Sequence, residues 1–349
     1  MLSVSKAPIL VTGGTGFVGN ALVQRLAKSG NHVRVISRSD SGKQQEILRE
    51  TCSEWDLVEF YKGDIGGSIE PLLPAFEGVN EVYHIAGLTN SIADDAVFQR
   101  ANVTATENVC EAALRTGIRK LVYVSTCDVF GIPTAHEVIT EATPHRPWGE
   151  AYPDTKIEGT EVVRAYQKKG LISTILYPGW IYGPGDRAFL PSLARQLQDG
   201  IMGFWCRGGF EVYFVYIEDL VDALVLAMSS TEADNDDFLI LDARSRITLK
   251  EFCQQIGDYL GIRFLPVPLP YHLMLSLAWV SQALCRSGAI KRPLLSTLDA
   301  KYFGHRFRFS VEKARGLLKW EVTTPYEEGI REALSWYREH MHGETVFKN

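Results

Sequence analysis

Short apolar runs alternate with segments of helical periodicity through the first half of the chain. The run at 9–11 is followed at 20–29 by apolar residues at helical spacing, and that periodicity stops at Gly30. Further apolar runs lie at 32–36, 58–61, 79–86, 120–125 and 172–177, and helical patterns at 101–116 and 152–169. This alternation predicts right-handed β-α-β units around a parallel sheet, and therefore an α/β fold.

The regular alternation fades after Pro178, where proline and glycine are dense as far as Gly185. Later apolar segments at 214–217, 220–228 and 238–242 predict that the chain returns to the main body. We therefore predict a first domain over 1–180 and a second, mostly helical region over 181–349. Residues from about 212 to 245 of the second region are expected to rejoin the first.

Glycines follow the first predicted strand in the sequence TGGTGFVG at 12–19, and a predicted helix comes next. Strand, glycine turn and helix in this order are typical of a dinucleotide site. Gly13 would permit the tight turn, Gly16 the approach of a pyrophosphate, and Gly19 the close packing of helix on strand. The free N–H groups at the positive end of the helix would bind the phosphates. The glycines are spaced three apart, unlike G-x-G-x-x-G, but this context favours a cofactor site over a flexible loop.

The second predicted strand ends in Ser37-Arg38, where an NAD site usually has an acidic residue that accepts from the ribose hydroxyl. A guanidinium suits a 2′-phosphate, which a carboxylate would repel. The sequence therefore favours NADP over NAD, and the alternative is that Arg38 is a solvated loop residue.

Tyr152 and Lys156 stand one helical turn apart in the sequence YPDTK. At this spacing both side chains project from the same helix face, and a nearby ammonium favours the phenolate and lowers the tyrosine pKa. A phenol tuned in this way can exchange a proton with a carbonyl or alcohol oxygen. The pair is common by chance, so its significance comes from the glycine turn that precedes it.

Composition excludes several other classes of protein. The 349 residues carry a net charge of −6, which argues against a nucleic-acid surface. Six cysteines lie without metal-ligand spacing, so we expect reduced thiols, no metal and a cytoplasmic location. We find neither a secretory signal at the start nor an apolar run of the roughly 18 residues that a membrane span needs.

Several motifs together resemble the extended short-chain dehydrogenase/reductase family over most of the chain. They are TGGTGFVG at 12–19, GDI at 63–65, HIAG at 84–87, NVTATENV at 102–109, VYVSTCDVFG at 122–131, YPDTK at 152–156, PGWIYGPGD at 178–186, FVYIEDLVDA at 214–223 and FSVEKARGLLKWEVTTPYEEGI at 309–330. The resemblance implies a Rossmann-type doubly wound parallel sheet with a smaller, mostly helical C-terminal region that binds the substrate. It also implies an NAD(P)-dependent enzyme.

The resemblance implies roles for the catalytic residues. Tyr152 would be the acid/base, and Lys156 would bind the nicotinamide ribose and hold the phenolate. The hydroxyl that hydrogen-bonds the reacting oxygen would be Thr126, with Ser125 as the alternative. Asn102 matches a position that supports the proton relay, although Ala105 replaces the usual glycine of that motif.

The resemblance also implies cofactor contacts. Asp64 and Ile65 would flank the adenine, Ala86 and Gly87 would lie beside the nicotinamide ribose, and the turn at Pro178 and Gly179 would contact the carboxamide. The arginine usual before that proline is Tyr177 here, which leaves the role of the arginine open. The whole implied set is Gly13, Thr15, Gly16, Phe17, Val18, Gly19, Arg38, Asp64, Ile65, Ala86, Gly87, Tyr152, Lys156, Pro178, Gly179 and Ile181.

Some of these residues also have purely structural interpretations. Asn102 would otherwise cap a helix, Asp64 would end a strand, and Thr126 would bond a neighbouring backbone group. We interpret His84, which lies within an apolar strand, as a packed and hydrogen-bonded histidine and not as a base. Trp180 belongs either to the core or to the wall of the substrate pocket, and we favour the pocket.

The C-terminal third bears on the substrate. The segment 271–286 is apolar nearly all round a predicted helix, and Lys291-Arg292 follow it. Such a helix would lie at a membrane interface or wall a pocket for a large apolar substrate, and otherwise it is a core helix or an oligomer contact. The arrangement resembles the 3β-hydroxysteroid dehydrogenase branch, whose members act on sterols, other isoprenoids and long-chain lipids.

These observations predict a dehydrogenase or ketoreductase that prefers NADP and acts on a hydrophobic, sterol-like or lipid-like substrate. The alternatives are a sugar-nucleotide epimerase or dehydratase, a dihydroflavonol-reductase-like ketoreductase, and a cofactor-sensing protein with a degenerate site. Peripheral membrane contact through 271–292 is a further prediction, and a homodimer is expected by analogy with the family.

Overall fold

Seven parallel strands form the main sheet of the computed structural model, which describes residues 7–38, 42–89, 93–200, 210–263, 269–290 and 293–341. The strands are β1 Ile9–Thr12, β2 Val33–Ser37, β3 Val58–Lys62, β4 Glu81–His84, β5 Lys120–Val124, β6 Ser173–Pro178 and β9 Asp237–Ile240. Their order across the sheet is β3-β2-β1-β4-β5-β6-β9. The predicted α/β fold class is confirmed.

The central strands are buried on both faces. Every residue of β1, β5 and β6 is buried, because helices cover both sides of the sheet. The helices of this half are α1 Phe17–Lys28, α2 Lys43–Thr51, α3 Leu73–Phe76, α4 Asp95–Phe98, α5 Ala105–Thr116 and α6 Ala151–Lys168. The chain order of the strands reverses between β1 and β4, and ligands of doubly wound sheets bind beyond the carboxyl ends of strands at such a point.

Most predicted elements differ by a few residues in their bounds, and two of these differences bear on the site. The strand predicted over 79–86 ends at His84, because Ala86 and Gly87 leave the sheet and form a loop at its carboxyl edge. The helix predicted over 101–116 is preceded without a break by α4, and a π-helical turn, Gln99–Thr104, joins α4 to α5. Turns of this kind recur at functional sites, and this one carries Asn102.

The rest of the chain packs at the carboxyl edge and flank of the sheet. A second, two-stranded parallel sheet pairs β7 Trp180–Tyr182 with β8 Phe214–Tyr216. The remaining helices are α7 Phe189–Gln198, α8 Ile217–Ser229, α9 Leu249–Leu260, α10 Tyr271–Arg286, α11 Thr297–Phe303 and α12 Tyr326–Met341. Among the helices described, none has both the length and the apolar character needed to cross a membrane.

Candidate active site

The glycine turn fits a cofactor's phosphates through close backbone contacts. Gly13 has a φ of +74°, and a Cβ there would lie 2.7 Å from the backbone nitrogen of Ala86. A Cβ on Gly19 would lie 2.1 Å from the Gly13 carbonyl oxygen. The turn therefore packs closely against the loop after β4 and against the start of its own helix, as expected for the first and third glycines.

Helix α1 begins at Phe17 with Gly16 as its N-cap, and no side chain caps it. The N–H groups of its first turn, including that of Val18, have no intrahelical acceptor and suit an anion. The Val18 side chain itself is buried in the core, so only its backbone faces this site. Thr15 and Phe17 are partly buried on the same turn. The residues present fit a dinucleotide.

His84 lies beneath the glycine turn and joins two elements. Its Nδ1 lies 2.7 Å from the Thr12 hydroxyl, and its Nε2 lies 3.0 Å from the Thr106 hydroxyl. Complete burial, with a contribution from the Lys156 charge, lowers the pKa of His84 to about 3. The ring is therefore neutral, and the prediction of a packed, hydrogen-bonded histidine is confirmed.

Lys156 is buried at the carboxyl edge of the sheet. Its Nζ donates to the Val124 carbonyl oxygen at 2.7 Å and lies 4.4 Å from the centre of the Tyr123 ring. A Cβ on Gly87 would lie 3.7 Å from this nitrogen, so the lysine reaches the loop expected beside the nicotinamide ribose. Burial lowers the pKa of Lys156 to about 7.

Tyr152 has a raised pKa, which makes the prediction of a lowered pKa wrong for the protein by itself. Burial is the main cause, and the nearby Asp128 carboxylate adds to it, while a hydrogen bond with Thr126 acts in the opposite direction. Lys156 does not offset these effects, because its ammonium is turned to Val124. The phenol is therefore a proton donor in this state.

The structure separates the two candidate hydroxyls. Thr126 lies two residues beyond the end of β5 and interacts with the Tyr152 phenol. Its hydroxyl also accepts from the Asp128 backbone N–H at 3.3 Å. The Ser125 hydroxyl points the other way and lies 2.8 Å from the Thr160 hydroxyl inside the core. The backbone stays extended at Thr126, and successive residues of an extended segment point to opposite sides, which explains the difference. The Ser125 hydroxyl is thus engaged within the core, and the catalytic role of Thr126 stays a prediction.

Asn102 is buried and ties the loop after β4 to helix α6. Its Oδ1 accepts from the Leu88 N–H at 2.7 Å, and its Nδ2 donates to the Leu88 carbonyl oxygen and to the Thr155 hydroxyl. These bonds position Gly87 and the helix of Tyr152. The amide of Asn102 is thus engaged in orientation, and its part in a proton relay stays a prediction.

The predicted adenine site is held by side chains from the segment after β4. The Asp64 carboxylate accepts from the Gly66 N–H and pairs with Arg100. The Ile65 carbonyl oxygen accepts from Asn108 Nδ2 at 2.8 Å, and the same amide also binds the Gly67 carbonyl. Sequence reasoning missed Asn108, although it lies within the quoted NVTATENV motif.

The turn at Pro178 and Gly179 lies between the two sheets. A Cβ on Gly179 would lie 2.3 Å from the Tyr213 carbonyl oxygen, so only glycine fits there. Ile181 is partly buried in β7 and pairs with Val215. The Tyr177 hydroxyl binds Asp237 and Arg164 on the flank of the sheet, so this side chain does not replace the missing arginine at the cofactor.

Lys62 is a second basic residue, beside Arg38, at the edge of the sheet that would face the adenosine ribose. Arg38 is exposed directly after β2, and the sheet register pairs Ser37 with Lys62. Sequence reasoning missed Lys62 because only the register of β2 and β3 brings it to this edge.

Trp180 forms part of an aromatic group that connects β7 with helix α11. The ring centre of Trp180 lies 4.9 Å from that of Tyr302 and 5.1 Å from that of Phe189. Trp148 stacks on Tyr302, and its ring nitrogen donates to the Asp128 carbonyl oxygen. Trp180 remains partly exposed. The aromatic group therefore extends from α11 to the turn beside Thr126 and Tyr152.

Lys301 connects helix α11 to the segment just before helix α6. Its Nζ donates to the Trp148 carbonyl oxygen and to Glu150, both at 2.7 Å. Glu150 is the N-cap residue of α6, the helix that carries Tyr152. The contact therefore holds the C-terminal region against the catalytic helix.

Comparison with known proteins adds to this picture. Residues 9–240 match the sequence model of the NAD dependent epimerase/dehydratase family. A 3beta-hydroxysteroid-dehydrogenase/decarboxylase of Arabidopsis thaliana is 26% identical over 347 residues, covering 93% of this chain and 78% of that protein. The sterol-4-alpha-carboxylate 3-dehydrogenase of Schizosaccharomyces pombe is also 26% identical, over 93% of this chain and 95% of that protein.

A solved structure shares the fold across nearly the whole chain. The UDP-glucose 4-epimerase of Thermotoga maritima, solved with UDP-glucose, has a TM-score of 0.75 at 23% identity. The match covers 95% of this chain and 99% of that chain. At this level of identity the likeness concerns the fold alone.

Proposed function

Because the chain belongs to the NAD dependent epimerase/dehydratase family, we propose that it is an NADP-dependent dehydrogenase that interconverts a secondary alcohol and a ketone on a hydrophobic substrate. The observation that carries this proposal is the Tyr152 phenol, which interacts with the Thr126 hydroxyl beside the buried Lys156. A binding module has no need of such a group, so the arrangement argues against a sensor with a degenerate site.

The residues of the site divide the chemistry among them. The nicotinamide supplies the acceptor or donor of hydride when it is bound. Alcohol oxidation needs Tyr152 as the phenolate, so its own proton would first leave to solvent. The phenolate would then take the hydroxyl proton as the carbinol C–H bond breaks and hydride leaves, and a ketone would form. Thr126 hydrogen-bonds the same oxygen, and Asn102 orients the helix of Tyr152. In the reverse direction Tyr152 donates its proton, which suits the raised pKa of its phenol.

The preference for NADP rests on the two cations at the edge of β2 and β3. Arg38 is exposed, and Lys62 is the register partner of Ser37. A 2′-phosphate would be held by both charges, whereas a bare ribose hydroxyl gains little from either.

Replacing Arg38 by alanine tests this preference. We expect the KM for NADPH to rise about tenfold or more, with a change of less than about threefold for NADH, because only the phosphate loses its cation. Steady-state kinetics with both cofactors measures the two constants. Lys168→Ala, which removes an exposed lysine at the far end of α6, is the control. Equal effects on both cofactors would remove the argument for NADP.

The preference for an apolar substrate rests on the aromatic group beside the catalytic turn. Trp148, Trp180 and Tyr302 reach from that turn to α11. Trp180 is the partly exposed ring of the three and suits a sterol or another isoprenoid, while Trp148 and Tyr302 are buried behind it. The names of the two relatives support a sterol-like substrate. A sugar nucleotide would need polar partners for its diphosphate.

A panel of substrates tests the proposed activity. Purified protein is assayed with NADP(H) against 3β-hydroxysterols, 3-ketosterols, long-chain β-keto lipids and UDP-sugars. We expect turnover of sterols or keto lipids with release of the cofactor. Tightly bound NAD together with epimerisation of a UDP-sugar would replace this proposal by the epimerase alternative.

We also propose that helix α10 touches a lipid surface. Its inner face buries Met274, Ala278 and Ser281, while Leu273, Leu277, Trp279, Val280 and Leu284 are exposed on the outer side, Trp279 by 71%. The helix has no acidic residue and ends in Arg286. Exposed apolar side chains with a tryptophan and basic neighbours are typical of a membrane interface. The basic pair Lys291-Arg292 lies outside the described residues.

Flotation with lipid vesicles tests this contact. We expect the wild type to float with phosphatidylcholine vesicles that contain phosphatidylserine, and the double variant Trp279→Ser, Val280→Ser to remain in the lower fraction, because it loses exposed apolar area. The double variant Val97→Ser, Val138→Ser removes two exposed apolar residues elsewhere and is the control. Equal flotation of all three proteins would contradict the contact. The homodimer stays a prediction.

A further inference from the structure

Asp128 is an acidic residue of the catalytic turn to which the proposed mechanism gives no part. A short 3-10 turn, Cys127–Phe130, starts directly after Thr126, and the Asp128 N–H donates to the Thr126 hydroxyl oxygen at 3.3 Å. The Trp148 ring nitrogen donates to the Asp128 carbonyl oxygen and fixes the turn. The Cys127 Sγ lies 3.9 Å from the Asp128 Oδ1, and the carboxyl is in electrostatic contact with Thr126 and Tyr152. Asp128 therefore stands beside the two groups that bind the reacting oxygen.

Among the residues that the structure describes, no cation neutralises the Asp128 carboxyl from the elements that face it. Cys127 on the same turn, Tyr152 on α6, and Asp299 and Tyr302 on α11 are the titratable groups in electrostatic contact with the carboxyl. Lysines on neighbouring elements are engaged elsewhere: Lys301 with Glu150 and the Trp148 carbonyl, and Lys156 with the Val124 carbonyl. Burial, with a contribution from Asp299, raises the pKa of Asp128 to about 6. The carboxyl is therefore charged above pH 7.

We propose that Asp128 makes this site select substrates whose substituent next to the reacting carbinol carbon is uncharged, and reject those with a carboxylate there. The inference rests on the proposed function and narrows its substrate class. The relative from Schizosaccharomyces pombe is named for a sterol-4-carboxylate, which carries its charge next to the carbon that is oxidised. Two negative charges a few ångströms apart in a partly buried site repel each other, and discrimination by such repulsion is an ordinary source of specificity.

Tyr302 supports an uncharged polar group at this position. Its side chain is 3% exposed, and within the described part of the chain its hydroxyl has no hydrogen-bond partner. The charges of Cys127 and Asp128 act on this hydroxyl, so it faces the same corner. A hydroxyl on the substrate would accept from Tyr302 and donate to Asp128, and both buried groups would then be satisfied.

Two sterols that differ in charge and hardly in size test the inference. The probes are a 4α-hydroxymethyl 3β-hydroxysterol and the matching 4α-carboxylate, oxidised with NADP at pH 7.5. We expect the wild type to favour the hydroxymethyl sterol in kcat/KM by about tenfold or more, and Asp128→Asn to lower that ratio by at least about tenfold. Asp258→Asn makes the same change at an exposed position on α9 and should keep the wild-type ratio.

The pH dependence of the wild type gives a second reading that needs no variant. The ratio of kcat/KM for the hydroxymethyl sterol to kcat/KM for the carboxylate should fall towards one as the pH drops from 7.5 to 5. Asp128 takes up a proton near pH 6, while the sterol carboxylate stays ionised. A wild type that prefers the carboxylate at pH 7.5, or an Asp128→Asn ratio equal to that of the wild type, would overturn the inference. Oxidation of the hydroxymethyl sterol tests the proposed dehydrogenase activity by itself. Failure of that activity is therefore distinguishable from failure of the proposed selectivity.

Discussion

Replacement of Tyr152 by phenylalanine is expected to lower kcat at least about a hundredfold, because the variant keeps the ring and loses the proton that must move with the hydride. The dissociation constant of NADP(H) should change by less than about threefold, since the phenol contacts the reacting oxygen more than the cofactor. Single-turnover kinetics and cofactor fluorescence measure the two quantities separately.

Tyr166→Phe is the matched control, because it makes the same chemical change on the same helix. The Tyr166 hydroxyl bonds Glu111 and lies nearly four helical turns further along α6, so turnover should stay near that of the wild type. A Tyr152→Phe enzyme that also turns over near the wild-type rate would show that the proton comes from another group. Asp128 would then be the first residue to examine.

The second large effect is expected at the glycine turn. Gly13→Ala should weaken NADP(H) binding at least about a hundredfold, because the new methyl would lie 2.7 Å from the Ala86 nitrogen and 2.8 Å from its Cα. Both are backbone atoms of the loop beside the nicotinamide ribose, so relief of the clash moves the cofactor site. Isothermal titration with NADPH measures the loss directly.

Gly30→Ala separates the clash from backbone strain. Gly30 has a φ of +76°, nearly that of Gly13, but a Cβ there would meet no atom within 4 Å. We expect this control to cost about 1–2 kcal/mol of folding free energy and to bind NADPH like the wild type. Equal binding by Gly13→Ala and the wild type would mean that the turn does not hold the dinucleotide.

The sheet and the glycine turn could be predicted from sequence because local pattern determines them. Buried parallel strands are continuous apolar runs, and the turn between strand and helix carries glycines wherever the backbone approaches another segment. The predicted strands correspond to β1 to β6 and β9, and Gly13 and Gly19 make the close contacts expected of them. The family resemblance is confirmed by the match over residues 9–240.

The electrostatics of the site could not be predicted in this way. The helical spacing of Tyr152 and Lys156 suggested that the ammonium would lower the phenol pKa, but tertiary contacts turn the lysine to Val124 and bring Asp128 to the tyrosine. Asp128 comes two residues after Thr126, so its position near that residue could be predicted from the sequence. Its orientation depends on Trp148 and on helix α11, and could not. Burial and orientation of this kind follow from packing between distant segments.

The exposed face of α10 could not be predicted from the sequence either. Its apolar residues fall nearly all round the helix, so the pattern left open a core helix, a pocket wall or an interface helix. Packing against α11 covers only the side of Met274, Ala278 and Ser281 and leaves Trp279 and Val280 outside. Only the position of α11 decides which side stays open.

Transfer of deuterium from NADPH labelled at both C4 positions tests the central claim most directly. The protein is incubated with the labelled cofactor and the best ketone of the panel, and the alcohol is analysed by mass spectrometry. We predict one deuterium on the carbinol carbon and release of NADP, with the signal lost in Tyr152→Phe. An alcohol without deuterium, or a nucleotide sugar that is inverted while the cofactor stays bound, would contradict the account.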